Sequence, residues 1–290
     1  MKVIAVFGPT GVGKTAVAIA LARGLRERGE DPVAVSADAM QVYEGLPVLT
    51  GAATAAEQAE LEHRLLHFVP IDQTFSAGAY AQRAHQEIDA LLAQHKRPIV
   101  VGGTGLYLRA ALADLDLRPP VDPGIRLRLA GRPIDTLHAE LPEHVAAGIA
   151  PTDRQRIIRA HELLEAGHDP PPGAHAPSQL WTTHTRHPTL LAALVMDRAE
   201  LARRIDERVD AMIANGAIQE VENAANASAT ARRALGFEEL LNHDVEAMKI
   251  RTRRYAKRQL TWLRKLPGTH LIDVTGRSAA DVAAELLAII

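Results

Sequence analysis

At 290 residues and 47% hydrophobic content, the chain can bury a full core, and one large domain with a smaller companion is expected. It contains no cysteine, which excludes disulfides and thiolate zinc sites, and its net charge of −2 argues neither for nor against nucleic acid. No run approaches the roughly 18 apolar residues of a membrane helix, and Met1-Lys2-Val3 enters an apolar stretch without room for a signal or transit peptide, so a cytoplasmic monomer with no membrane partner is expected.

The first strand, 3–7, runs into Gly8-Pro9-Thr10-Gly11-Val12-Gly13-Lys14-Thr15 and an amphipathic helix reaching about Arg28. The pattern G-x-x-x-x-G-K-[ST] in a strand–loop–helix context is the P-loop signature. Its glycines let backbone N–H groups curl around an anion, and the helix N-terminus adds a positive field. Lys14 offers a point charge to phosphate oxygens, and the Thr15 hydroxyl can hold Mg²⁺. The loop alone establishes polyphosphate binding and suggests a nucleotide, an ATP user.

Asp31-Pro32 marks a turn before a short buried strand, 33–35, with Asp38 just beyond its carboxyl end. A loop rich in small residues follows, then a helix over 57–64, a strand over 65–69 and a helix over 78–94. Pro98-Ile99-Val100-Val101 is the clearest later strand, ending in Gly102-Gly103-Thr104-Gly105 before another helix. This alternation predicts an α/β, P-loop NTPase-like doubly wound parallel sheet. At 117–123 the character changes, and 119–187 reads as a helical insertion. It contains Asp153-Arg154-Gln155-Arg156-Ile157-Ile158-Arg159, opening a helix to about Ala166, and the loop Asp169-Pro170-Pro171-Pro172-Gly173. A strand over 190–196, a mostly helical stretch from Arg198, a strand over 271–274 and a closing helix over 279–290 complete a core made of 1–118 and 188–290.

Several residues invite chemistry. Asp38 reads equally as a cap of the next turn or as a carboxylate facing the P-loop, where it binds Mg²⁺ or takes a proton. The expectation that strands 1 and 2 adjoin favours the second. Thr104, in a glycine-rich turn that is otherwise merely flexible, could hydrogen-bond a substrate phosphate or leaving oxygen. Arg232 and Arg233 open an expected helix, where one of them could clamp phosphates. His63 and His67 straddle a helix-to-strand boundary and read as structural. Between Lys249 and Lys265 there are eight basic residues and no acidic one, interleaved with Tyr255 and Trp262. That makes a basic stripe suited to phosphates.

Taken together, Gly8 to Thr15, Ser36-Ala37-Asp38-Ala39-Met40-Gln41-Val42-Tyr43, Val101-Gly102-Gly103-Thr104-Gly105-Leu106-Tyr107, the Asp153–Arg159 segment, Arg233-Ala234-Leu235-Gly236-Phe237 and Ala256-Lys257-Arg258-Gln259-Leu260-Thr261-Trp262-Leu263-Arg264 resemble the tRNA dimethylallyltransferases, in family order over nearly the whole chain. The resemblance implies transfer of a dimethylallyl group from dimethylallyl diphosphate to N6 of adenosine at tRNA position 37. It implies that residues 8–15 hold the diphosphate with Mg²⁺ on Thr15, and that Asp38, Thr104 and Arg233 are catalytic. It also implies that Gln41, Asp153, Arg156, Arg159, Lys257, Arg258, Gln259 and Arg264 contact tRNA. The chain departs from the family pattern in Leu49-Thr50-Gly51-Ala52-Ala53, which lacks a lysine, and at His67, where an aspartate is common. The family's eukaryotic zinc-finger tail is missing, which points to a bacterial type. A small-molecule P-loop kinase, a regulatory NTP-binding switch and an adenylate isopentenyltransferase are the competing readings. The basic motif argues against the first and last, and a glycine where a switch would place a metal-binding aspartate argues against the second.

Overall fold

The computed structural model describes residues 1–117, 121–170 and 179–290. Parts of the 117–123 and 169–173 proline segments therefore lie outside the described residues. The chain divides into a unit of Met1–Leu115 with Leu180–Ile290 and a second unit of Asp116–Gln179. The sequence places these boundaries at 118/119 and 187/188. The return boundary comes earlier because Arg186 and His187 are tied into the larger unit by Asp89 and Asp114.

The larger unit is built on six parallel strands: β1 Val3–Phe7, β2 Asp31–Ser36, β3 His63–Arg64, β4 Lys96–Gly102, β5 Thr189–Val195 and β6 Thr269–Asp273. Their order across the sheet is β3-β2-β4-β1-β5-β6. The interior strands read as continuous apolar runs because a parallel sheet is covered on both faces. All five residues of β1 are 1% exposed or less. The P-loop helix Lys14–Glu27 and the last helix, Ala279–Ile289, pack together through Val17, Leu21, Leu25, Val282, Ala283 and Leu286. Helices Ala77–Ala93 and Gly105–Leu112 pack on one another over β2 and β4. Right-handed crossovers place these two layers on opposite faces. The doubly wound α/β fold expected from the alternation is the fold observed.

Three local expectations are corrected. The helix expected over 57–64 stops at Glu60, where its Thr54–Glu57 capping box starts a helix of only Ala55–Glu60. The strand expected over 65–69 is His63–Arg64 instead, because Leu65 and His67 adopt left-handed φ of 61° and 48°, which no strand accommodates. Arg232 and Arg233 end a short 3₁₀ turn, and the next helix begins only at Phe237, after Gly236.

The strand order carries a further correction with consequences for the site. β1 and β2 do not adjoin, because β4 lies between them, pairing Ala34 with Ile99 on one side and Ile4 with Ile99 on the other. At its carboxyl end β4 is Gly102, where a β-carbon would collide with the Ala37 carbonyl, just past the end of β2. The strand that separates Asp38 from the P-loop thus has no side chain at the point of closest approach.

The second unit has its own small core of Ile125, Leu129, Leu137, Val145, Ile157 and Ile158. Its longest helix, Arg154–Glu165, is capped by Asp153, whose carboxylate accepts the Arg156 N–H at 3.2 Å. Buried Glu162 is held by Arg126 and Arg159.

Gly102→Ala is expected to destabilise the protein by about 2 kcal/mol or more, since the obstructing atoms are backbone and cannot rotate away. Chemical denaturation measures this, and a loss below about 0.5 kcal/mol would show that β2 and β4 can separate freely.

Candidate active site

β1, β2 and β4 deliver their carboxyl ends to one edge, where an open parallel sheet gathers its ligand-binding loops. A cavity of about 960 Å³ opens there, lined by the P-loop, Asp38, Thr104 and residues of the two long helices Arg198–Ala214 and Val245–Leu263. Gly13 takes a φ of 95°, which turns the chain into the helix that begins at Lys14. Lys14 lies at the floor, where its Nζ donates to the carbonyls of Gly8 and Pro9 at 3.0 and 2.9 Å. Burial, and secondarily the charge of Arg208, push its ammonium down to about 8, while Asp38 opposes the shift. Lys14 is therefore a cation whose protein surroundings do not compensate it, and an arriving anion would.

Arg208 is the main residue that the sequence reading overlooked. It lines the same cavity, donates from Nη2 to the Gly51 carbonyl at 3.2 Å, and burial lowers its guanidinium from the ordinary value. A signal was available: Leu201, Ile205 and Val209 form the buried stripe of its helix, and Arg208 falls on that stripe at helical spacing. A cation on an apolar face needs an anion nearby.

Asp38 and Thr104 come together across the bare end of β4. The Asp38 Oδ1 accepts the Met40 N–H at 2.9 Å, and its Oδ2 is 3.5 Å from the Thr104 hydroxyl. Thr104 Oγ1 in turn lies 3.4 Å from the Tyr255 hydroxyl. Burial, and next the Asp38 charge, push the Tyr255 phenol up to about 12, so it remains a protonated donor. Asp38 closes a local turn and also lines the cavity beside the P-loop.

Arg233 lines the cavity, whereas Arg232 pairs with Glu238 at 2.9 Å and stacks on Phe237. Of the two, Arg233 is the one placed to reach an anion. Gln41 also lines the cavity, its amide bridging Ser36 and the Thr50 and Gly51 carbonyls. His67 contributes to the same wall, its Nδ1–H donating to the Tyr43 carbonyl at 2.9 Å. Thr15 and Asp38 supply oxygen donors of the kind Mg²⁺ takes alongside phosphate oxygens.

The basic segment needs correction. Lys249, Arg251 and Arg253 have carboxylate partners in Asp210, Glu239 and Asp206, supplied by the Arg198–Ala214 helix and the short helix Phe237–Leu241. Arg254, Lys257, Arg258, Arg264 and Lys265 remain exposed on one side of the Val245–Leu263 helix and just beyond it, with no carboxylate partner among the described residues. Gln259 does not belong to that stripe. It is 5% exposed and points into the protein.

The model of the IPP transferase family matches residues 41–266. The chain belongs to that family. Among curated IPP transferase relatives, a tRNA dimethylallyltransferase from Bifidobacterium adolescentis is 36% identical, covering 94% of this chain and 84% of the relative. One from Thermobifida fusca is also 36% identical, over 98% and 94%. The solved tRNA isopentenylpyrophosphate transferase from Bacillus halodurans superposes with a TM-score of 0.72 at 28% identity, covering 99% of this chain and 95% of that one. A eukaryotic dimethylallyltransferase acting on tRNA gives 0.75 at 25% identity, over 99% and 77%. This IPP transferase family member thus shares its architecture with them across nearly its whole length.

Lys14 is expected to titrate near pH 8 in the ligand-free protein. An unfolded lysine titrates near 10.5, so the folded chain gains stability between pH 8 and 10.5 as deprotonation relieves the buried charge. Comparing the pH dependence of unfolding in wild type and Lys14→Met checks this, and identical slopes over that window would contradict it.

Proposed function

We propose that this chain is a tRNA prenyltransferase that moves the dimethylallyl group of dimethylallyl diphosphate to N6 of adenosine 37, releasing diphosphate. The observation that carries the reading is the pairing of a carboxylate with a polyphosphate cradle. Asp38 and Thr104 line the same cavity as Lys14, Arg208 and Arg233. A transfer from a diphosphate needs both a sink for the departing charge and a base for the incoming nucleophile. The membership in the IPP transferase family and the names of the relatives support the same reading.

In this reaction the allylic C–O bond breaks and its electron pair leaves with the diphosphate. The P-loop N–H groups, Lys14, Arg208 and Arg233 receive that charge. The adenosine N6 lone pair forms the new C–N bond, and Asp38 accepts the proton that N6 sheds. Thr104 stands beside Asp38, and its single hydroxyl proton can turn from that carboxylate to the departing oxygen. Mg²⁺ held by Thr15 would neutralise part of the diphosphate charge when bound. Adenosine must be flipped from its stack to enter the cavity.

The exposed stripe Arg254, Lys257, Arg258, Arg264 and Lys265 grips the anticodon stem-loop through phosphates. In the second unit Arg156, whose side chain is 73% exposed, is the counterpart for RNA phosphates, while Asp153 holds the helix start. Arg159 is spent in part on Glu162. The enzyme acts as a cytoplasmic monomer.

Purified protein with dimethylallyl diphosphate, Mg²⁺ and unmodified tRNA should add one C5 unit to adenosine, read by mass spectrometry of the digested RNA. Asp38→Ala should lower kcat by about a hundredfold or more while RNA binding persists. Turnover near wild type in that variant would remove Asp38 from the base role. Arg254→Ala combined with Lys257→Ala should weaken RNA binding and flatten the slope of log K against log salt by about 1.4, two phosphates at roughly 0.7 each. An unchanged slope would place the RNA elsewhere.

A further inference from the structure

The helix Val245–Leu263 has two faces with different work. Outward it presents Arg254, Lys257 and Arg258; inward it buries Thr252, Ala256, Gln259 and Leu263. Gln259 is the polar residue among these that reaches two other segments at once. Its Oε1 accepts the Thr10 N–H at 2.8 Å, and its Nε2 donates to the Gly103 carbonyl at 2.7 Å. A backbone N–H can only meet an oxygen and a backbone carbonyl can only meet a donor, so the partners fix the orientation of the amide. No other side chain of similar length presents one acceptor and one donor at its tip. The amide is also closely packed. A β-carbon at Gly103 would strike its nitrogen and would lie 3.1 Å from the Gly8 carbonyl and 3.3 Å from Lys14 Nζ.

We propose that Gln259 is a positioning residue for catalysis, pinning the P-loop to the Gly103–Thr104 turn so that the anion cradle and the Asp38–Thr104 pair keep a fixed separation. It does not touch RNA. Thr10 belongs to the loop whose N–H groups would surround phosphate, and Gly103 immediately precedes Thr104. A single amide therefore sets the position of the leaving-group site relative to the base site. Without it the Gly103 carbonyl is left buried and unsatisfied and the part-buried Thr10 N–H loses its protein partner, so the two segments are no longer tied together. Tyr255, one turn earlier on the same helix, adds a second hold on Thr104. The inference rests on the reading of the cavity as a diphosphate site.

The test uses the full chain in three forms: wild type, Gln259→Met, which keeps length but loses both bonds, and Gln259→Glu. Glutamate can still accept from Thr10 but has no donor for Gly103. Binding of inorganic diphosphate with Mg²⁺ is measured by calorimetry, binding of unmodified tRNA by filter retention, and folding by thermal unfolding. Both variants should lose about tenfold or more in diphosphate affinity, with a matching rise in KM for dimethylallyl diphosphate and with tRNA affinity within twofold of wild type. Diphosphate affinity within twofold of wild type in folded variants overturns the proposal. So does a loss of tRNA affinity with diphosphate binding intact, which would return Gln259 to the RNA surface. If the methionine variant fails to fold, the glutamate variant decides. Wild type that binds no diphosphate overturns the functional reading itself, an outcome distinct from equal binding by all three proteins.

Discussion

The active cavity depends on how closely the backbone of β4 can lie against its neighbours at Gly102 and Gly103. Parallel strands in a sheet stand about 4.8 Å apart, and any side chain at the end of the middle strand would fill the space between β1 and β2. Here the first glycine admits the Ala37 carbonyl and the second admits the Gln259 amide, with Gly8 and Lys14 next to it. Asp38 can then face the P-loop from two strands away. The same bare strand end lets Thr104 stand beside Asp38, and it gives the helix behind it a carbonyl to hold. The chemistry is thus set by absent side chains as much as by those present.

Charge is arranged around that constraint in two distinct ways. Inside, burial is the main cause that holds both Lys14 and Arg208 below their ordinary values; the Arg208 charge adds to the shift on Lys14, while Asp38 opposes it on both and Glu57 on Arg208. An arriving anion would compensate these desolvated cations, so the site favours an anion before any contact is optimised. Outside, the cations of the Val245–Leu263 helix are split. Those near its start are neutralised by Asp206, Asp210 and Glu239, while those further along stay available to a polyanion. The split leaves the cations that have no carboxylate partner among the described residues at one end of the helix.

Much of this was legible in the sequence because it is local. The P-loop declares itself within eight residues, the β–α alternation fixes the fold class, and the prolines and helix formers after 117 mark off the insertion. Asp38 and Thr104 are recognisable as residues just past strand ends. What escaped is non-local. Nothing in the periodicity of 96–102 says that β4 inserts between β1 and β2, since that follows from crossovers closed by distant helices. The carboxylates that neutralise Lys249, Arg251 and Arg253 come from dozens of residues away or from the adjoining helix, and a charge run cannot show them. Gln259 looked like part of a basic stripe because its neighbours in sequence are basic, yet helical geometry turns it a third of a turn inward. The left-handed His67 and Leu65 shortened a strand that their neighbours' composition favoured.

The central claim is that the P-loop holds the leaving group of the reaction itself and not a nucleotide that powers it. Its most direct measurement is the stoichiometry of diphosphate release with dimethylallyl diphosphate and unmodified tRNA as the only substrates, with no nucleoside triphosphate present. The account predicts one diphosphate liberated for each C5 unit incorporated into RNA, at a rate that added ATP does not raise. Incorporation that appears only when ATP is supplied, accompanied by its hydrolysis, would contradict it.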